Sequence, residues 1–467
     1  MSSNHPPASP RRRRLLHSTL AALVMPAAAL AAVNRQSAAV PIPAALRLMF
    51  PELPYFELIK TQLKRYADST GIRIEVDVMP YLEMREAQLK ELQKTRGKYD
   101  LVVILAAWKT EYASKNLLAD LDKERVARRL SLEDAEDIVP AYLTVAGKVG
   151  GPRGYLDGPA ARLFALPVGS ETSILAYRTD IFQQHGLKPP ASYDELLPLL
   201  QVLKQKEPGM QPLCSRGQRG HHISHAWLLH FNAYGGEVFD ARWRCRVHSP
   251  AGIKAIEVLK AIHAASINTS ASTGTGTGKS VSTGGILDNS YSDMCNAFIS
   301  GNAAMYLDST NIFALANDSV KSMVQDKTTY ALHPKGTVHA SETGGFALAM
   351  PKNAPSSARA MQLMGWLTSR QQDKAIARKG AIPIRISTMR DVELQIIYPE
   401  YAILNKQLEY ANPNWRPIIP EWPVIDEQIL GTLLHDAVAG TITPATALEQ
   451  AQEKITELMR KNGHYRS

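Results

Sequence analysis

The sequence predicts an α/β fold of two doubly wound lobes joined by hinge strands, and three observations carry that reading. Short apolar runs alternate with helical patterns from residue 46 to residue 105. A second series of the same kind opens near Ile174. The chain's 467 residues, 45% of them hydrophobic, exceed what one core usually holds. In the first series Leu46-Arg47-Leu48-Met49-Phe50 reads as a strand stopped by Pro51. Tyr55 to Thr70 follows with helical spacing, and Gly71 stands just past its end as a C-cap. Ile72 to Val78 alternates as a second strand, and Met84 to Thr95 reads as a helix stopped by Gly97. Leu101 to Leu105 is a continuous apolar run, the pattern of a parallel strand covered on both faces.

The second series begins after Phe164-Ala165-Leu166-Pro167, with Ile174 to Tyr177 as a strand. Ser192 caps the next helix, and Glu195 three residues on completes a capping box. Ser249-Pro250 opens a helix through His263, and Thr443-Pro444 opens the last one, to about Lys461. Proline suits the first helical position because its missing N–H has no intrahelical partner to lose.

Before the first strand, Arg11 to Arg14 form a positive segment, and Leu15 to Ala32 are mostly apolar and rich in small residues. Ala29-Leu30-Ala31 supplies a small-x-small cleavage site, so residues 1–31 read as a signal peptide and 32–44 as a linker. Adjacent arginines fit both twin-arginine and general secretion. The expected location is the periplasm. The formal charge of +9 includes those four arginines, and the remaining basic residues are interspersed with acids, unlike the basic face of a nucleic-acid binder. Three cysteines, Cys214, Cys245 and Cys295, allow a Cys214–Cys245 disulfide with one spare thiol, or three free thiols.

Residues 268–285 form a low-complexity loop. Its Gly274-Thr275-Gly276-Thr277-Gly278-Lys279-Ser280 imitates a phosphate-binding loop, but the glycine that motif needs five places before Gly278 is Thr273, and no apolar strand precedes it. It reads as a flexible surface loop. His221, His222, His225 and His230 lack both an acidic partner among them and a His-Glu-x-x-His arrangement, so they read as hydrogen-bonded histidines; no metal and no cofactor is expected.

Several segments in order resemble family 1 of the extracellular solute-binding proteins, the maltose-binding-protein-like group, from about Ala45 to Leu458. They are Lys98-Tyr99-Asp100-Leu101-Val102, the long stretch Leu166 to Phe182 with its Tyr177-x-x-Asp180, and Pro189-Pro190-Ala191-Ser192-Tyr193-Asp194-Glu195-Leu196. Ala297 to Met305, Gly344 to Met350, Gly380 to Arg385 and Arg416-Pro417-Ile418-Ile419-Pro420-Glu421-Trp422 follow, the last similar to a signature of members serving sugar and polyol importers. The resemblance implies the type II periplasmic binding protein fold, with lobe 1 at 45–168 plus 308–343 and lobe 2 at 169–307 plus 344–467. It also implies a non-enzymatic monomer that binds a small-molecule carbohydrate and hands it to ABC transporter permease subunits in the inner membrane. The enlarged connection at 150–162 and the long loop depart from the family pattern and put ligand size in doubt.

A sugar needs apolar surface for its C–H faces and directed donors and acceptors for its hydroxyls, presented where strands end and helices begin. Glu52 ends the first strand, either as a hydroxyl acceptor or as a solvated turn carboxylate. Trp108 and Lys109 follow the Leu101–Leu105 strand, with Trp108 as a stacking platform or as core. Glu171 stands at the first crossing, where the resemblance implies ligand contact and a hinge salt bridge is the alternative. His222 and Trp227 lie near one helix start, Trp227 again being core or platform. Asp308, Ser309 and Asn311 follow the return strand, where Asp308 either binds hydroxyls or caps a helix. Gly344 and Gly345 suggest close backbone approach at the third crossing, and Arg385 clamps two hydroxyls or pairs with an acid. Three alternatives stay open. A secreted hydrolase is opposed by the lack of a localised triad or metal motif, a sensor subunit would keep the fold, and a polyamine or other solute would keep the two-lobe design.

Overall fold

The apolar run Leu101–Leu105 forms a strand whose five side chains are all buried, and a five-stranded sheet is assembled around it. A fully buried Leu, Ile or Val side chain contributes about 1.5–3 kcal/mol, so this strand anchors the first sheet. The computed structural model describes residues 45–128, 135–151, 159–267 and 284–465. Its strands are β1 (Leu46–Pro51), β2 (Ile74–Met79), β3 (Leu101–Leu105), β4 (Lys148–Val149), β5 (Arg162–Leu163), β6 (Ala165–Glu171), β7 (Ser173–Arg178), β8 (Met305–Ser309), β9 (Thr328–Ala331) and β10 (Gly344–Ala349).

The first sheet has the order β2-β1-β3-β10-β6, with β1 parallel to β2 and β3, and β10 antiparallel to both its neighbours. The second has the order β8-β7-β9, antiparallel throughout, and the segment Gln211 to Cys214 adds parallel bridges to the outer edge of β8. Between Lys148 and Leu163 the short ribbon β4–β5 closes the enlarged connection; its residues 152–158, the leader and linker through 44, and most of the 268–285 loop lie outside the described residues.

Helix limits follow local chemistry. Pro54–Thr70 ends on Gly71 in the left-handed conformation. Ser192, Ser249 and Thr443 accept backbone N–H groups at the starts of Tyr193–Lys206, Pro250–Ser266 and Pro444–Lys461. Glu195 completes the first of these by accepting from Ala191 N (2.8 Å), one residue before the expected Ser192. Among the described residues no helix is long and apolar enough to cross a membrane.

The chain passes from one sheet to the other with a single residue between. Glu171 ends β6 and Ser173 begins β7. Thr172 there donates its N–H to Thr310 Oγ1 (3.1 Å), accepts from Thr310 N (2.8 Å), and donates its hydroxyl to Glu342 O (2.7 Å). Three chain segments are thus stitched at one point.

Strand pairing corrects the expected lobe boundaries. β8, expected to close lobe 2 just before a lobe-1 segment at 308–343, pairs with β7 through Ser309, and β9 follows in the same sheet. Gly344–Ala349, expected in lobe 2, is the fourth strand of the first sheet. The physical reason is burial: all six of its residues are covered, which the strand achieves by lying between β3 and β6. The helices Ser357–Leu367 and Arg370–Ala377 then pack on Pro54–Thr70, whereas Gly431–Ala439 and Pro444–Lys461 pack on the second lobe's Pro250–Ser266. The tail is therefore shared between lobes.

All three cysteines are free and buried, so the Cys214–Cys245 pairing is not formed. Cys214 lies in the cluster against the second sheet with Cys295, and Cys245 lies in the other core cluster.

At Gly345 the β10–β6 register shifts, φ is +91°, and an added Cβ would stand 2.3 Å from Gly169 O and 2.8 Å from Ser170 Cα. Gly345→Ala is therefore expected to cost at least about 2 kcal/mol. The urea midpoint at unchanged slope measures this, and a loss below about 0.5 kcal/mol would contradict the strain assigned to this bulge.

Candidate functional site

Where the carboxyl ends of β1, β2 and β3 face the second sheet lies a narrow cleft open to solvent. Leu53, Tyr81, Leu105 and Phe346 form its apolar side, and Glu171, Arg216, His221, His225, Tyr291, Asn311 and Arg416 its polar side. Each arrives by a local rule. Leu53 and Tyr81 follow the ends of β1 and β2, Phe346 follows the β10 bulge, and Arg216 follows the Gln211–Cys214 edge segment.

The polar side is a buried charge network. Arg216 Nε donates to Asp308 Oδ2 (2.8 Å) and its Nη2 to Oδ1, while Nη2 stands 3.0 Å from His225 Nε2. Both Arg216 and Asp308 are almost fully buried, so the pairing is what makes either tolerable. The guanidinium also lies 4.9 Å over the Tyr291 ring. Glu171 Oε2 accepts from Asn311 Nδ2 (2.7 Å) and from Ser309 Oγ. His221 Nδ1 lies 2.5 Å from Asp426 Oδ2. A Cβ at Gly344 would stand 3.3 Å from Arg416 Nη2, 3.5 Å from Glu342 Oε1 and 3.7 Å from Glu171 Oε1, so these three groups converge on the bare face of that glycine. Among the described residues, Arg416 Nε and His225 Nδ1 have no hydrogen-bond partner, which leaves a donor and a ring nitrogen for a guest.

Burial, reinforced by the Glu342 charge, pushes Glu171 up to about 8, and burial with the Asp308 charge pushes Glu342 up to about 7. Among the described residues Glu342 Oε1 has no hydrogen-bond partner, and it faces the Glu171 carboxyl beside Gly344. Asp308 is held below its usual range despite burial, chiefly by the Arg216 charge.

His225, Asp308 and Glu342 present ligand atoms within 4.8 Å of one another, the spacing of a metal site. The Arg216 guanidinium occupies that position, bonded to both Asp308 oxygens, and a second cation there would meet its charge. The cluster is organised around an arginine.

The expected site residues divide. Glu171, Ser309, Asn311 and Gly344 meet at the cleft; Asp308 reaches it by holding Arg216. Glu52 and His222 line an adjoining mouth together with Tyr81 and Tyr291. His222 is kept neutral by burial, its pKa down to about 2. The others are corrected. Trp108 is buried against Tyr112 (rings stacked at 6.3 Å), and Lys109, fully buried, donates from Nζ to Thr144 O (2.6 Å). Trp227 stacks on Phe231 at 4.3 Å and donates to Gly252 O, inside the second lobe's helices. Arg385 donates to Thr368 O from Nε and Nη2 and faces Asp137, tying two segments together. Gly345 serves strand packing. Trp108, Lys109, Trp227 and Arg385 follow the right elements, but their side chains are buried behind them.

Sequence reasoning passed over Tyr81, Arg216, Tyr291, Glu342 and Phe346. Tyr81 obeys the same strand-end rule that singled out Glu52, and Arg216 would have followed from reading Gln211–Cys214 as an edge strand.

Residues 54–374 match the family model described as bacterial extracellular solute-binding protein. The chain belongs to that family. A mannitol-binding protein of Pseudomonas aeruginosa is 27% identical over 324 residues, covering 65% of this chain and 70% of that protein. A probable amino-acid ABC transporter periplasmic-binding protein of Sinorhizobium fredii is 24% identical, covering 98% and 100%. Among solved structures, an ABC transporter solute-binding protein of Agrobacterium radiobacter in complex with ribitol superposes with a TM-score of 0.77 at 24% identity, covering 89% of this chain and 99% of that one. The fold of this solute-binding protein is thus the two-lobe arrangement of its relatives.

The carboxyl pair sets a pH dependence. Both groups are raised from 4.5, so their contribution to stability is full below about pH 4.5 and is lost as pH rises through about 7 to 8. The buried neutral His222, His230 and His333 carry the opposite sign, losing stability as pH falls below about 6.5. Comparison with Glu342→Gln isolates the carboxyls. Between about pH 5 and about pH 8.5 the wild-type protein should lose on the order of 3 kcal/mol relative to the variant. Parallel melting curves against pH would refute the raised carboxyl pair.

Proposed function

We propose that this protein captures a sugar alcohol or sugar in the cleft and delivers it to the permease of an ABC importer, without making or breaking a bond. The observation that carries the reading is the cleft's make-up: one apolar side and one side mixing donors with acceptors, drawn from both sheets and from the crossing between them. Polyhydroxylated ligands need that combination, because each buried hydroxyl must both donate and accept. The names of the mannitol-binding relative and the ribitol-bound structure agree in ligand class.

Closure follows from linkage. A guest that touches Phe346 on one side and Arg416 or Asn311 on the other stabilises the closed arrangement by its differential contacts, and the single-residue crossing at Thr172 permits the swing. The periplasm, reached by cleavage of residues 1–31, is the compartment this task requires, and a monomer suffices for it.

A second reading, an amino acid as ligand, is favoured by the full-length likeness to the probable amino-acid-binding relative and by two buried arginines. Arg216 is already spent on Asp308, which leaves Arg416 alone for a carboxylate.

Thermal shift decides between them. D-mannitol or ribitol at about 100 times its Kd should stabilise the protein by about 2.7 kcal/mol, while amino acids leave it unmoved. A shift with amino acids and none with any polyol or monosaccharide at millimolar concentration would overturn the proposal.

A further inference from the structure

The cleft does not end at its polar wall. Leu53, Tyr291, Asn311 and Phe346 also line a second, small recess of about 30 Å³, whose other walls include Phe56, Leu315 and Ile382. Apart from Tyr291 and Asn311 at the shared boundary, and Tyr55, whose hydroxyl is bonded to the Gly169 backbone, its side chains are apolar. Gly169 helps to keep it open: a Cβ there would stand 3.0 Å from Tyr55 Cδ1 and 3.4 Å from Phe56 Cζ, at a φ of +60°. The recess draws on both halves of the molecule, with Phe56 and Phe346 from the first and Asn311 and Leu315 from the second, so closure of the cleft closes it as well.

A ligand made only of hydroxylated carbons would set a hydroxyl against this largely apolar lining, where the polar side chains among the described residues are Asn311 and Tyr291 at the boundary and Tyr55, already bonded to the Gly169 backbone. A ligand ending in a methyl group would lose nothing there and would bury that group against Phe56, Leu315 and Ile382. We propose that the recess is an apolar subsite of the binding cleft and that the natural ligand is a deoxy polyol or deoxy sugar whose methyl terminus occupies it. The polyhydroxylated remainder lies along Glu171, Arg416 and Asn311. This rests on the carbohydrate reading of the cleft and narrows it to a substrate class.

The test is calorimetric titration of the whole protein with a matched pair, D-mannitol and the corresponding hexitol lacking one terminal hydroxyl. The deoxy compound is expected to bind at least about 10-fold more tightly, within the range that one apolar group yields in a fitted pocket. Ala314→Leu, which fills the recess from the lip of the helix Ile312–Ala316, should bring that ratio close to one. Equal affinities, or a preference for the fully hydroxylated member, would overturn the subsite while leaving the carbohydrate reading intact. Binding of neither compound, nor of any other polyol or sugar, would overturn both.

Discussion

Four carboxylates and two guanidiniums are withdrawn from water where the two sheets meet: Glu171, Asp308, Glu342 and Asp426 with Arg216 and Arg416. Burying an ion costs several kcal/mol unless geometry and hydrogen bonds return it, and the Arg216–Asp308 pair meets that condition with two parallel bonds. The other members lean on that pair. Asp308 raises Glu342 and Glu171, Arg216 lowers them in part, and Arg416 feels Glu342, Asp426 and Glu171 together. A hydrophobic filling of similar volume is often as stable or more so. The polar arrangement presents unmatched donors and acceptors to whatever enters the cleft.

The backbone holds this network in register. Thr172, Thr310 and Glu342 are bonded where three segments cross, so the acids sit on the very residues about which the lobes would turn. A second chain of buried hydrogen bonds runs from Ser173 through His333 and Tyr193 to His230, on the same helix as His221 and His225. Its histidines are kept neutral by burial, so it braces the second lobe without adding charge. Rigid halves with their polar groups fixed in advance lose little entropy on binding, which is the advantage of placing specificity on strands and helix starts.

Much of the fold was legible because it rests on periodicity and punctuation. Leu101–Leu105 was marked by five consecutive apolar residues, and the helix ends at Gly71, Ser192 and Thr443 by cap chemistry. The lobe boundary after residue 307 was not, because sequence order says nothing about which sheet a strand joins; only burial of all six residues of Gly344–Ala349 decides it. The site divides on the same line. Glu171 and Asn311 line the cleft, where chain crossings and strand ends are readable, whereas Trp108, Trp227 and Arg385 occupy similar positions with side chains turned inward. A pattern of residues gives the element but not the direction in which a large side chain leaves it. Arg216 and Glu342 escaped notice because their meaning comes from partners 92 residues away in one case and 117 in the other.

A crystal structure of the protein grown with D-mannitol or its deoxy counterpart tests the central claim most directly. The account predicts one ligand molecule enclosed between the two sheets, with hydroxyls on Glu171 and Arg416 and carbon atoms against Phe346. Ligand density at any other place, or a bound polyol that leaves the Glu171–Glu342–Arg416 cluster untouched, would contradict it.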